Sequence, residues 1–308
     1  MGHAAQGLRH VNPTKIFDSE TVLPDDQLTA KQRTLLGFEE RYTRVHDQLR
    51  LLLHIDEIEA WNSRHHAGAL ALCDFVVEQH PLVIFHGDVG TGKSATAECI
   101  ANRLIADAQA EDSVLYKLSN RVRGTGKVGE MGTLLSEAFH KVSQAAGRKR
   151  RAIMVIDEGD SLAAERSQDH SHHEDKVAVN ALIQAIDDLR RFGGRVVVFL
   201  CTNRLSVVDP ALRRRAAIIE EFKRPTDDER RQLFAMDLGN LSLDEIQLAD
   251  LVSMTGARDG CPTWTYSDIR PRLYPAALAL AFPDRPLVFD HLRGVASTMK
   301  PSPVMEDR

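Results

Sequence analysis

The octapeptide GDVGTGKS, Gly87 to Ser94, fits the pattern G-x-x-x-x-G-K-[ST]. It follows the apolar run PLVIFH (81–86) and opens the amphipathic run KSATAECIANRLIA (93–106). Strand, glycine-rich turn and helix in that order is the context in which such a loop cradles phosphates. Glycine permits the tight backbone path, the amides face the anion, and the helix amino terminus adds partial positive charge. Gly87, Asp88, Val89, Gly90, Thr91, Gly92, Lys93, Ser94 and Ala95 are therefore the expected nucleotide-phosphate site. Lys93 would reach the β- and γ-phosphates and Ser94 would ligate Mg²⁺.

Working outward, further short apolar runs lie at 113–118, 152–156, 196–201 and 217–222, with helical patterns between the first four strands. Strands apolar on both faces that alternate with helices predict an α/β fold with a parallel sheet sandwiched by helices. AIMVI (152–156) runs straight into Asp157 and Glu158. A carboxylate at the end of a buried strand is costly unless it faces a cation, so Asp157 is the expected Mg²⁺ ligand and Glu158 the group that polarises water. VVVFLC (196–201) ends in Thr202 and Asn203. If this strand lies between the other two, Asn203 stands beside the γ-phosphate and helps position water. The run DPALRRRAAI (209–218) then carries Arg213, Arg214 and Arg215, which taken alone read as a solvated face.

Before residue 25 the chain reads as an irregular arm, and residues 25–55 as a helical lead-in with Leu35, Leu36, Phe38, Tyr42, Val45, Leu49 and Leu52 at helical spacing. After Pro225 the strands stop. Thr226 and Glu229 form a capping box opening a series of helical patterns. The organisation expected is an arm and lead-in at 1–60, a large α/β domain at 61–225, a small all-helical lid at 226–300 and a tail at 301–308. The polar stretch DHSHHEDK (169–176) reads as a loop, not a metal site, because its histidines lack ligand spacing.

A net charge of -5 gives no basic field for non-specific binding to nucleic acid, so nucleic acid is not the expected partner. GRKRR (147–151) reads as a solvated connection ahead of the acidic strand. The scattered cysteines Cys73, Cys99, Cys201 and Cys261 read as reduced, buried thiols, and no run is apolar enough to span a bilayer. A cytoplasmic protein is expected.

Taken in order, HGDVGTGKS, IMVIDEGDSLAAER, CTNR and DPALRRRAA resemble the Walker A, Walker B, sensor-one and arginine-finger segments of AAA+ ATPases over roughly residues 60–285. Within that superfamily, IDEGDSLAAER followed by HEDKVAVNALIQAIDDLRR is similar to the HORMA-domain remodellers. These are the checkpoint and meiotic ATPases and their bacterial counterparts in cyclic-oligonucleotide antiphage (CBASS) systems. The resemblance implies ATP as substrate, Mg²⁺ as cofactor, and a homohexameric ring that opens a HORMA-domain protein, with a cyclic-nucleotide synthase as the companion of that protein. It implies an arginine finger at Arg214 or Arg215, with Arg213 as the spare. It places the substrate-gripping pore loop at Gly126, Lys127, Val128 and Gly129, without the aromatic residue most relatives carry. The lid position that holds a nucleotide-sensing arginine in the HORMA remodellers matches Ser267; Arg270 or Arg272 takes over, or the sensor is absent. A competing reading is an AAA+ ATPase of the loader or initiator type acting on DNA.

Overall fold

The computed structural model describes residues 16–109, 112–123, 130–147, 150–162, 173–258 and 260–305. Six strands, β1 (Phe17–Leu23), β2 (Leu82–Gly87), β3 (Ser113–Leu118), β4 (Ala152–Ile156), β5 (Val196–Thr202) and β6 (Ala216–Phe222), form one sheet in the order β1-β3-β4-β5-β2-β6. All neighbours are parallel except β1, which runs antiparallel to β3. β5 lies between β2 and β4, so the carboxyl ends of the glycine-rich, acidic and Asn203 strands stand side by side.

Helices before and within the sheet are α1 (Asp26–Gln32), α2 (Phe38–Leu53), α3 (Ile55–His66), α4 (Leu72–Val77), α5 (Lys93–Asp107), α6 (Glu130–Ala145), α7 (His173–Leu189) and α8 (Pro210–Arg215). One sheet face is covered by α6 and α7, which bury Leu135, Phe139, Leu182 and Ile186 against Ile84, Met154 and Val198. The other is covered by α5 and α2. Phe38, Tyr42, Val45, Leu49 and Leu52 form one stripe of α2 and are all buried. At roughly 1.5–3 kcal/mol for each large apolar side chain, that stripe contributes on the order of 10 kcal/mol of burial.

Four expectations change here. The segment read as an irregular arm contains β1, whose ends Phe17 and Leu23 are buried while the five residues between them are exposed or half-buried. The lead-in is two helices separated by a turn that holds Leu35 and Leu36, and α2 shares the sheet's own core. Of the stretch 169–176, residues from His173 onward open α7 and the rest lie outside the described residues. Cys99 and Cys201 are buried, whereas Cys73 and Cys261 are half-buried.

Pro225 and Thr226 lead from β6 into α9 (Asp227–Leu238), which opens with the expected Thr226–Glu229 capping box. The lid continues with α10 (Glu245–Met254), α11 (Tyr266–Asp268), a π-turn at Ile269–Leu273, α12 (Tyr274–Ala281) and α13 (Phe289–Thr298). Its separate core gathers Leu233, Phe234, Leu251, Trp264, Leu273 and Leu292. The buried guanidinium of Arg230 donates to the carbonyls of Pro225 and Val252 at 2.8 and 3.3 Å, tying the connection to the lid. No helix among the described residues is long and apolar enough to cross a membrane.

Candidate active site

The glycine-rich loop leaves β2 at Gly87 and enters α5 at Lys93, with Gly92 in the left-handed region and no side chain capping the helix. The first amides of α5 are thus left for an anion. Lys93 is buried, and its ammonium donates to the carbonyls of Gly87 and Asp88, both at 2.8 Å. Burial pushes its pKa down, opposed by the nearby carboxylates of Asp157, Asp88 and Asp160. Val89, Gly90, Gly92, Lys93, Ser94 and Ala95 line one cavity of about 320 Å³ with Asp157, Glu158, Asn203 and Ser267.

The acidic end of β4 is shaped by close backbone approach. A Cβ on Gly159 would lie 2.5 Å from Leu200 Cδ1, so only glycine lets this turn pass under β5. Asp160, which sequence reasoning missed, accepts from the Thr202 hydroxyl at 3.3 Å and the Asn203 amide at 3.4 Å, tying Asn203 to the acidic turn. Glu158 has a left-handed backbone (φ 51°). Its Oε2 accepts from Asn120 Nδ2 at 2.9 Å, just beyond β3. Asn120 was invisible in the sequence because an Asn after a strand is ordinarily a turn residue.

The lid closes the cavity's other side. The Ser267 amide donates to Gly90 O at 3.2 Å. At Gly90 (φ +78°) a Cβ would meet Ser267 Cβ and Thr265 Oγ1 at 2.7 Å, so loop and lid touch through the missing side chain. A second clamp is formed by Arg224 after β6. It donates to Asp88 Oδ2 and to Thr263 O, each at 2.5 Å, and to Ser302 O and Pro303 O, each at 2.9 Å. The Met305 amide reaches the same Asp88 at 3.1 Å. The residues after α13 are therefore strapped to the phosphate loop.

Arg270 is not brought to the cavity. It pairs with Asp237 on α9 at 2.7 Å and donates to Thr34 O at 2.8 Å, facing the lid and lead-in. Arg272 is held by Asp268 at 2.5 Å and by Lys300 O at 3.1 Å. Ser267 alone represents the expected sensor position in the cavity lining.

Arg213, Arg214 and Arg215 end α8, immediately before β6. β6 begins where Ala216 pairs with Leu82, at the amino end of β2, whereas the phosphate loop leaves from the carboxyl end at Gly87. A strand of that length separates the two by about 17 Å, so these arginines stand away from the chain's own cavity. Arg215 is half-buried and pairs with Asp187 at 2.6 and 2.9 Å. Arg214 is exposed, with its Nε on Pro210 O at 3.3 Å. Arg213 buries an Nε that has no partner. The expected pore loop, Gly126 to Gly129, lies outside the described residues.

The family model for ATPases associated with various cellular activities (AAA) matches residues 83–224, from β2 to the end of the large unit. The chain is 61% identical over 297 residues to the CD-NTase-associated protein 6 of Escherichia coli strain KTE188, covering 96% of this chain and 100% of the relative. The chain belongs to the AAA ATPases, in the CD-NTase-associated protein 6 family. Solved structures agree with that AAA assignment. A chain of the E. coli MS115-1 HORMA:CdnC:Trip13 complex superposes with a TM-score of 0.85 at 35% identity, covering 94% of this chain and 97% of the other. The Rhizobiales Trip13 structure gives 0.67 at 30% identity, covering 93% and 99%. This AAA ATPase therefore has the AAA large domain and helical lid expected from its motifs.

Proposed function

We propose that this AAA ATPase hydrolyses ATP with Mg²⁺ and works as a ring, a hexamer by its resemblance, that remodels a HORMA-domain protein accompanied by a cyclic-nucleotide synthase. Its setting would be the cytoplasm, in control of a cyclic-oligonucleotide antiphage system. The observation that carries the catalytic part is the single cavity in which Lys93, Ser94, Asp157, Glu158 and Asn203 meet the lid at Ser267. The remodelling part is supported by the full-length likeness to a chain whose solved complex contains HORMA and CdnC components.

The donor set fits a nucleoside triphosphate. Lys93 and the uncapped amides of α5 would bind the phosphates, and Ser94 and Asp157 are the oxygen donors that would hold Mg²⁺. Mg²⁺ held there would supply neutralisation of the phosphate charge. Glu158 accepts a proton from the attacking water, with its carboxylate oriented by Asn120, while Asn203 is kept in place by Asp160. An arginine from a neighbouring subunit, Arg215 or Arg214, stabilises charge in the transition state. Because loop and lid touch at Gly90, a change in the phosphate loop is transmitted directly to the lid.

Phosphate release by Glu158→Gln tests the catalytic assignment. The variant should bind ATP with parental affinity and lose at least about 100-fold in turnover; undiminished release sinks the assignment. Stimulation of parental ATPase activity by a purified HORMA-domain protein, and indifference to duplex DNA, is the expected substrate signature.

A further inference from the structure

At the end of the sheet opposite the nucleotide cavity, four guanidinium groups share one space. Arg151 directly precedes β4 and Arg195 directly precedes β5, where Ala152 pairs with Val196, so the two stand side by side. Arg190 and Arg191 follow α7 in a short 3₁₀ turn. All four line a cavity of about 690 Å³ that also exposes apolar surface from Leu53, Ile55 and Phe192. That volume lies within the ordinary range for a small-ligand pocket.

The charges in this cavity are unbalanced. Among the described residues the one acidic lining residue is Glu57, an exposed side chain bonded to the His54 ring at 2.8 Å, whose charge also favours the Arg151 cation. Among the described residues, none of the four arginines forms an ion pair with a carboxylate. Their known contacts are backbone carbonyls and one ring. Arg151 Nη2 donates to Leu53 O at 3.1 Å, Arg195 Nε donates to Phe192 O at 2.7 Å, and Arg191 lies 5.1 Å from the Phe192 ring centroid. Arg151 Nη1 is buried and has no partner. An orphaned buried donor on a charged group is costly and is rare in folded proteins. Burial also holds the Arg151 pKa below its ordinary value.

Capping the carboxyl end of α2 accounts for one N–H of Arg151 and for nothing that Arg190 or Arg191 does. The twelve-residue helix α3 also begins at this cavity with no side-chain cap, so its positive end adds to the same field. Four cations against one exposed carboxylate call for a ligand with several negative charges, and the planar fork of arginine matches phosphate oxygens two at a time. The half-open, concave shape suits a compact anion with an organic body on the apolar side. It does not suit a duplex, whose phosphates form a long strip, and the chain's net charge of -5 works against duplex binding.

We propose that this cavity is a second anion site, separate from the ATP cavity, which binds a small phosphate-bearing ligand through Arg151, Arg190, Arg191 and Arg195. Arg151, the last residue of the basic run GRKRR, thereby acquires a role that the ATPase chemistry leaves unassigned.

The test uses the full chain carrying Lys93→Ala, which removes the phosphate grip of the ATP loop, with pyrophosphate as the calorimetric probe. One binding site per chain should persist in that background. It should weaken at least ten-fold in Arg190→Gln/Arg191→Gln, whose side chains are exposed and leave the fold intact, and again in Arg151→Gln. Pyrophosphate should raise the melting temperature of the Lys93→Ala chain and fail to do so once the arginines are replaced. ADP binding more tightly than pyrophosphate in this background would show that the apolar side takes an organic body; equal affinities would define a bare phosphate site. Loss of all pyrophosphate binding with Lys93→Ala alone overturns the proposal. So does unchanged binding in the arginine variants, or an arginine-dependent affinity for duplex DNA without one for pyrophosphate.

Discussion

Arg215 is restrained inside its own chain. Asp187 accepts two bonds from it and also meets the His80 ring at 2.8 Å. The Arg215 guanidinium holds the Asp187 carboxyl below the usual range, while burial lowers the His80 pKa against the opposing pull of Asp187. To act on a neighbour's nucleotide, Arg215 must exchange Asp187 for phosphate oxygens. Among the described residues, Arg214 carries no such carboxylate partner. If Arg215 is the finger, Arg215→Ala should fold and bind ATP with parental affinity yet lose about 10³-fold in steady-state hydrolysis, the lower end for a finger supplied in trans. Full activity in Arg215→Ala together with that loss in Arg214→Ala would reassign the role. At this scale the phosphate-loop, acidic and Asn203 positions were legible because their spacing is fixed by strand–loop–helix geometry. Asp187, Asp160 and Asn120 were not, because each reaches its partner across the fold and carries no local signal. The lid arginine was misplaced for a related reason: Arg270 has Asp237 on α9 to satisfy it, and Ser267 faces the cavity instead.

Among the elements, the residues after α13 are the least expected participants. Arg224 joins Asp88 of the phosphate loop, Thr263 of the lid and the carbonyls of Ser302 and Pro303. Asp268, fully buried, accepts from the Ser302 amide and hydroxyl at 3.0 and 2.7 Å. Arg224→Ala should therefore loosen loop, lid and tail together, weakening a fluorescent ATP analogue about ten-fold and raising amide exchange at residues 300–305. Unchanged affinity and exchange would reduce Arg224 to a surface contact. The same elements set the acid limit. Burial pushes the carboxyls of Glu98 and Asp268 up, but Lys31 and Lys117 for Glu98, and Ser302 and Thr265 for Asp268, outweigh it and leave both below their ordinary values. Together with Asp187 these groups bind protons less readily folded than unfolded, so their stabilisation is present above about pH 4 and is lost as pH falls through the folded values. Melting temperature should hold from pH 7 to about 5 and drop steeply below 4; a flat profile down to pH 3 contradicts this. The helical patterns and the inner strands were legible from periodicity. β1 was not, since a bulge between Phe17 and Ser19 breaks its alternation and only its two ends are buried.

For the whole molecule, the sheet order places every catalytic candidate except the arginines at one end and the arginines at the other. On the proposed function, such a chain would complete its site by meeting a second copy head to tail, a heterologous contact whose repetition gives a ring when the rotation closes. The α/β class and the helical lid could be read from alternation and its end at Pro225, whereas a ring was implied only through the family resemblance of the motifs. The most direct measurement is retention of the purified HORMA-domain protein on immobilised Glu158→Gln chain in ATP, with ADP as the control. Retention in ATP and release in ADP is the predicted result. No retention in ATP, or retention indifferent to the nucleotide, would contradict the account.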